Sequence, residues 1–178
     1  VLNDAIHSAR EVTKTNTYRL ETFQSGQFGF LGYVEPDGTV QYYRTPARKH
    51  TIHSCFASAR IADIPEVEIV YSYAGANGQL IRLLTASNTV SGIVVAGTGA
   101  GKFSKAEEEA LIEAAEKGIV VVRSSRVGNG RVVALKEYEK YPFVSADNLL
   151  PQKARILLML ALALKKNRQE TQEIFDNY

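Results

Sequence analysis

Cysteine is almost missing from this chain. Cys55 is the only one among 178 residues, so no disulfide can form within the chain, and a lone thiol leaves the redox compartment unread. An excess of charge of either sign is missing too. The 21 Lys and Arg against 19 Asp and Glu give a formal net charge of +2, too small to favour nucleic acid or an acidic membrane as partner. Long apolar runs are absent. The longest aliphatic one, Ile156 to Leu164, has nine residues, about half of the roughly 20 that a membrane span needs. Histidine is sparse, with His7, His50 and His53 alone. No secretory leader is visible, although the sequence opens at Val1 in what reads as the tail of a strand, which is compatible with a leader lying upstream. What is present is 45% hydrophobic and 22% charged residues, enough to bury the core of one domain, or of a domain plus part of a neighbour.

The most informative stretch runs from Val90 to Gly118. Ile93, Val94 and Val95 form a β-branched run of the kind a strand buried on both faces requires. Gly97, Gly99 and Gly101 then crowd a turn, where positive φ and close backbone approach become accessible. Ser104 followed by Glu107 is a capping box, which predicts a helix starting near Lys105. The glycine loop invites a phosphate-binding interpretation, and that can be tested by position. A P-loop needs Gly, four residues, Gly, Lys and then Ser or Thr for Mg²⁺. Counting back from Gly101-Lys102, the first glycine position holds Ala96, and Phe103 stands where the hydroxyl is needed. Two of the four fixed positions fail, which disfavours a nucleotide-binding α/β domain.

The pattern around that stretch is regular. Strands are expected over 67–73, 118–123 and 143–145, and helices over 77–87, 152–166 and 171–178, with Pro151 opening the long helix. Strands alternating with helices predict an α/β domain: a small parallel sheet with flanking helices. Ligands of such sheets sit beyond the carboxyl ends of strands, here the loops 72–78, 96–102 and 124–130.

The first part of the chain reads differently. Leu31, Tyr33 and Val34 lead into Pro36-Asp37-Gly38, and Val40, Tyr42 and Tyr43 lead out, which is a hairpin. Residues 1–44 read as one structural unit. Residues 45–66, without sustained period and with Pro46, Pro65 and the basic cluster Arg48-Lys49-His50, read as a linker to a domain over 67–178. Within it, His50, His53 and Cys55 have metal-like spacing, but the one other histidine, His7, is far away in sequence, so loop residues and a small thiol are the expected identities. In VTKTNT, Val12 to Thr17, Lys14 lies among alternating hydroxyls. Such a segment is either a solvated edge or a setting in which a lysine with lowered pKa accepts a proton.

Together these segments resemble the carboxy-terminal part of the bacterial-type L-asparaginases, type II branch. The residues that carry the likeness are VLND, REVTKTNTYRLETFQS, FGFLGY, RTPARKHT, IVYSYAGANG, GIVVAGTGAG, VVVRSSRVGNG, PQKARILLMLAL and IFDNY, spread over the whole chain. The resemblance implies hydrolysis of L-asparagine to aspartate and ammonia, some glutaminase activity, and no metal or organic cofactor. It implies a threonine nucleophile in a Thr-Gly-Gly-Thr loop and a Thr-Lys-Asp group completed by a Gly-Thr-Asp-Thr motif. Neither threonine motif occurs in this sequence. Lys14 is the one position of that machinery that matches, as the lysine of the proton-relaying group. The family also builds each site across an intimate dimer, within a dimer of dimers. There the resemblance places Ala100 at the glycine-loop position facing the neighbour's substrate, without a polar side chain, and Glu137, or Glu139, as the carboxylate for the substrate ammonium. Leu150 replaces an asparagine common before Pro-Gln-Lys-Ala-Arg, removing a helix cap worth about 1 kcal/mol.

These implications set the expectations, among them that residues 1–44 are the last strands and hairpin of a larger, incomplete α/β domain. The complete enzyme is an exported, periplasmic or secreted amidohydrolase, with a cytoplasmic location as the alternative. The 178 residues alone are inactive, or complement a missing amino-terminal half. The rival class is a non-catalytic binding or assembly module that keeps only the oligomer-forming surface.

Overall fold

The computed structural model describes all 178 residues, which divide into two compact units, Val1–His53 and Ser54–Tyr178. The division falls within the segment read as a linker.

The first unit is made of short antiparallel pieces. β1 (Ala5–Ile6), β4 (Gly32–Val34) and β5 (Val40–Tyr42) form one sheet in the order β1-β4-β5, and β2 (Thr13–Lys14) pairs with β3 (Phe23–Gln24) in a separate ribbon. The hairpin around Pro36-Asp37-Gly38 has Asp37 Oδ1 accepting from the Thr39 amide at 2.9 Å and Gly38 at φ +85°. That hydrogen bond holds the Asp37 carboxyl below the usual carboxylate range. Val1–Leu2 departs from expectation. Asn3 and Asp4 both take left-handed φ, 48° and 58°, and Leu2 bonds back to Ala5, so these residues make a two-residue turn and the strand begins at Ala5.

The second unit is a four-stranded, all-parallel sheet in sequential order: β6 (Val67–Tyr71), β7 (Gly92–Gly97), β8 (Val120–Ser125) and β9 (Phe143–Ser145). Every residue of β7 is buried. Alternation divides its side chains. Ile93 and Val95 join Val70, Val121 and Phe143 in one cluster beneath α1 (Gln79–Ser87) and α2 (Lys105–Glu116). Val94 joins Val67, Val122 and Val144 in the other, beneath α3 (Pro151–Ala163) and α4 (Arg168–Asn177). The molecule thus has the covered, two-faced α/β sheet that the strand–helix alternation predicts.

Helix ends follow their capping chemistry. The Glu107 amide donates to Ser104 Oγ at 3.1 Å and the Ser104 amide to Glu107 Oε2 at 2.9 Å, closing the predicted box. At the other end of α2, Gly118 at φ +86° and Ile119 return their amides to Ala115 and Ala114, a Schellman motif. The next strand therefore starts at Val120 rather than Gly118, and it runs on to Ser125. α3 ends at Ala163, three residues before the expected Lys166, because Lys165 takes φ +55° and the Lys165 and Lys166 amides make the same closure onto the Leu162 and Ala161 carbonyls. α3 has no side-chain cap at Leu150. α4 starts at Arg168 rather than Thr171, since Asn167 and Glu170 form a second capping box.

Two outcomes follow. Gly92→Ala puts a Cβ 2.7 Å from Leu158 Cδ2 and 3.2 Å from Val67 Cγ2, so urea unfolding of the second unit should show a loss of about 1–3 kcal/mol through overpacking. Glu170, held by Lys166 Nζ at 2.7 Å and by the Asn167 amide, has its pKa lowered. Its folded value lies below its unfolded one, so its contribution is present above the ordinary glutamate range and is lost as pH falls through the lowered value. Glu170→Gln should flatten that acid limb of thermal stability, and an unchanged limb would count against the assignment.

Candidate functional site

The carboxyl ends of β6, β7 and β8 carry three loops, and these are tied to one another by buried polar contacts. After β7 the chain turns back at once. The Thr98 amide donates to the Lys102 carbonyl at 2.7 Å and the Lys102 amide to the Thr98 carbonyl at 2.9 Å, with Gly99 at φ +48° and Gly101 at φ +75°. Two glycines here are also required by space. A Cβ on Gly97 would lie 2.6 Å from the Gly101 carbonyl carbon, and one on Gly101 would lie 2.8 Å from Val132. The loop closes on itself, and the Thr98 and Lys102 amides are committed to that closure rather than to a phosphate.

Glu107, 1% exposed, sits under the first two loops. Its Oε2 accepts from Ser72 Oγ at 2.7 Å as well as from the Ser104 amide, and Ser104 Oγ donates to the Ala76 carbonyl at 2.8 Å. Its Oε1 has no hydrogen-bond partner within the protein. The third loop joins through Arg126, whose Nη1 donates to the Ser72 carbonyl at 3.0 Å, and through Ser125 Oγ, which donates to the Gly99 carbonyl at 2.6 Å.

Arg123, inside β8, is likewise 1% exposed. Its Nη2 donates to the Ala100 carbonyl at 3.1 Å and its Nη1 to the Val133 carbonyl at 3.4 Å, while the guanidinium lies 4.2 Å from the centre of the Tyr138 ring. Burial lowers the Arg123 pKa, partly opposed by Tyr138 and Glu137, and burial raises that of the Tyr138 phenol. Glu137 stands in a single 3₁₀ turn, Lys136–Tyr138, and faces Lys102 Nζ at 3.3 Å.

The predicted site residues therefore fall into two groups. Ala100 and Glu137 are brought together in the second unit, through Lys102 and Arg123. Lys14 belongs to the first unit, in β2, with its side chain exposed. The hydroxyl of Thr15 turns to backbone instead of the lysine: Thr15 Oγ1 donates to the Thr22 carbonyl at 2.8 Å, and Thr22 Oγ1 bonds Asn16. Glu139 follows the 3₁₀ turn, its amide donating to the Lys136 carbonyl at 3.3 Å. His50, Thr51 and His53 share a short turn closed by the His53 amide on the His50 carbonyl at 3.0 Å, and the Cys55 amide donates to Tyr178 Oη at 2.9 Å. No three His, Cys, Asp or Glu side chains gather in a metal-holding arrangement.

Arg123 and Tyr138 escape sequence reasoning, and Glu107 is read there only as the partner of a helix cap. Arg123 had a signal: a cation inside the β-branched run of β8 is out of place unless buried donors have partners.

Comparison with known proteins gives the family. A family model described as the glutaminase/asparaginase C-terminal domain matches residues 66–175, and one described as the N-terminal asparaginase domain matches residues 1–48. The chain belongs to the asparaginase family. It is 44% identical to L-asparaginase 2 of Escherichia coli, over 100% of this chain and 51% of that protein. It is 39% identical to a probable periplasmic L-asparaginase of Haemophilus influenzae, over 99% and 51%, and 37% identical to a glutaminase-asparaginase of Pseudomonas fluorescens, over 99% and 49%. This asparaginase-family chain spans about half the length of the curated relatives it matches.

Removing the Glu107 carboxylate leaves Ser72 Oγ and the Ser104 amide without their acceptor. Glu107→Ala should therefore lower stability by about 1–3 kcal/mol, and Glu107→Gln, which keeps an acceptor oxygen, should lose less. Equal losses in thermal unfolding would contradict the network.

Proposed function

We propose that the protein to which this chain belongs is an L-asparaginase, with some activity on L-glutamine. In this reading residues 67–178 form its smaller domain, 45–66 a linker and 1–44 part of its larger domain. The observation that carries the reading is the family match over both units, 66–175 and 1–48. The names of the relatives, asparaginases and glutaminase-asparaginases, supply the substrate class. The periplasmic relative suggests an exported location.

The proposed chemistry needs no cofactor. A threonine hydroxyl attacks the side-chain amide carbon, the C–N bond breaks as the nitrogen takes up a proton and leaves as ammonia, and water then hydrolyses the ester to aspartate. The motifs for that threonine and for its Thr-Asp partners do not occur in these 178 residues. Lys14 is assigned the proton relay: a primary amine beside the nucleophile can take its proton and pass it on. Glu137 is assigned to the substrate ammonium of a neighbouring subunit, a charge-assisted contact. Ala100 contributes shape, since its carbonyl is held by Arg123. Assembly as a homo-oligomer belongs to the same proposal.

Ammonia release from L-asparagine tests it. The chain alone should release none, and activity should appear when a polypeptide carrying the threonine motifs is supplied, added separately or joined to it. Turnover by the chain alone would overturn the division of labour, and none under either condition would favour a non-catalytic assembly module. In the active enzyme, Lys14→Met should lower kcat by about 10²–10⁴. Glu137→Gln should raise KM roughly tenfold or more, as loss of a hydrogen bond to a charged group does, with kcat less affected.

A further inference from the structure

The glycine loop and the segment around Glu137 are separated in sequence, yet several contacts join them. Arg123 donates to the carbonyl of Ala100 in the first and of Val133 in the second, and stacks on Tyr138, the residue after Glu137. Phe103, just past the glycine loop, packs on Tyr138 with ring centres 5.2 Å apart. Lys102 pairs with Glu137 at 3.3 Å, but that pair is about half exposed on both sides, so it contributes little rigidity. A cleft of about 310 Å³ opens on one side of the segment, bordered by Arg123, Leu135, Tyr138, Phe143 and Arg168, while on the other Tyr138 is buried in the core with Leu135 packed against the same cluster. Directional contacts add to that packing in placing residues 133–138. Arg123 supplies three of them. It enters from β8, whose backbone is fixed by pairing with both β7 and β9. Its third nitrogen, Nε, has no hydrogen-bond partner. A planar guanidinium can stack and donate to two carbonyls at once, which an ammonium cannot.

We infer that Arg123 is a positioning residue that holds the Ala100 loop and the Glu137 segment together as one body. The inference rests on the asparaginase reading only for what those two segments face. Amide hydrogen exchange on the whole 178-residue chain tests it directly. In Arg123→Met, peptides covering 97–103 and 132–139 should both exchange faster, roughly tenfold, while α1 and α4 keep their rates. Arg123→Lys should not restore them. Tyr138→Leu removes the stack from the other side without touching a buried charge, and should loosen the same two segments even where Arg123→Met folds poorly. Faster exchange in one segment alone, or uniformly over the sheet, would overturn the inference. In the assembled enzyme the Arg123 variants should raise KM several-fold and leave kcat within about twofold; an unchanged KM would also count against it. Absence of any ammonia release by that enzyme counts against the asparaginase reading alone, and the exchange result still decides the role of Arg123.

Discussion

A strand without a solvent face is the constraint on which the second unit depends. All six residues of β7 are buried, so each side chain must be apolar and compact, and each face must be covered by helices. Gly92 permits Leu158 of α3 to approach one end, and Gly97 permits the chain to fold back at the other. Parallel pairing with β6 and β8 then brings three strand ends to the same edge. Everything chemical in this unit sits at or beside that edge. Several of its polar groups, Ser72, Glu107, Arg123 and Ser124, are nevertheless buried. The outcome is a set of loops held by internal hydrogen bonds, with Glu107 under two of them and Arg123 reaching from one to the next segment.

Much of this architecture was legible because its determinants are local. Ser104 and Glu107 define a helix start with only two residues between cap and partner, and the structure closes that box in both directions. Asn167 and Glu170 follow the same chemistry and open α4 at Arg168, three residues before the expected Thr171. The ends were less legible where a non-glycine residue takes left-handed φ. Lys165 closes α3 as Gly118 closes α2, and nothing about a lysine announces it. Asn3 and Asp4 did offer a hint, both being residue types that tolerate that conformation.

The candidate site divides along a different line. Of its exposed members, Lys14 drew notice from the hydroxyls around it, while Ala100 and Glu137 came from resemblance to a family, which assigns position without explaining what holds it. Its buried members came only with coordinates. Arg123 makes its contacts to residues 23 and 10 positions away, and such separations leave no periodic mark. Loop 96–102 illustrates the gain. Its glycines suggested a phosphate cradle, the positions of its neighbours disfavoured one, and its geometry supplies the reason for the glycines: Gly97 packs on Gly101 and Gly101 on Val132.

Two cation contacts at this edge differ in kind, and the difference bears on how the proposed site would operate. Lys102 and Glu137 meet in a setting roughly half open to water, where an ion pair contributes about 0–1 kcal/mol and is readily exchanged. A carboxylate so held can leave the lysine for another ammonium at little cost. Arg123 is the opposite case: buried, stacked, and bonded to two carbonyls rather than to a carboxylate. Its charge is desolvated and has no directly bonded counter-ion, which makes it a poor source of net stability. Such a residue is best explained by the geometry it imposes. A rigid frame that carries a loosely paired carboxylate is the arrangement a reversible ammonium contact requires, because affinity then depends on where Glu137 is held and only weakly on breaking its resting partner.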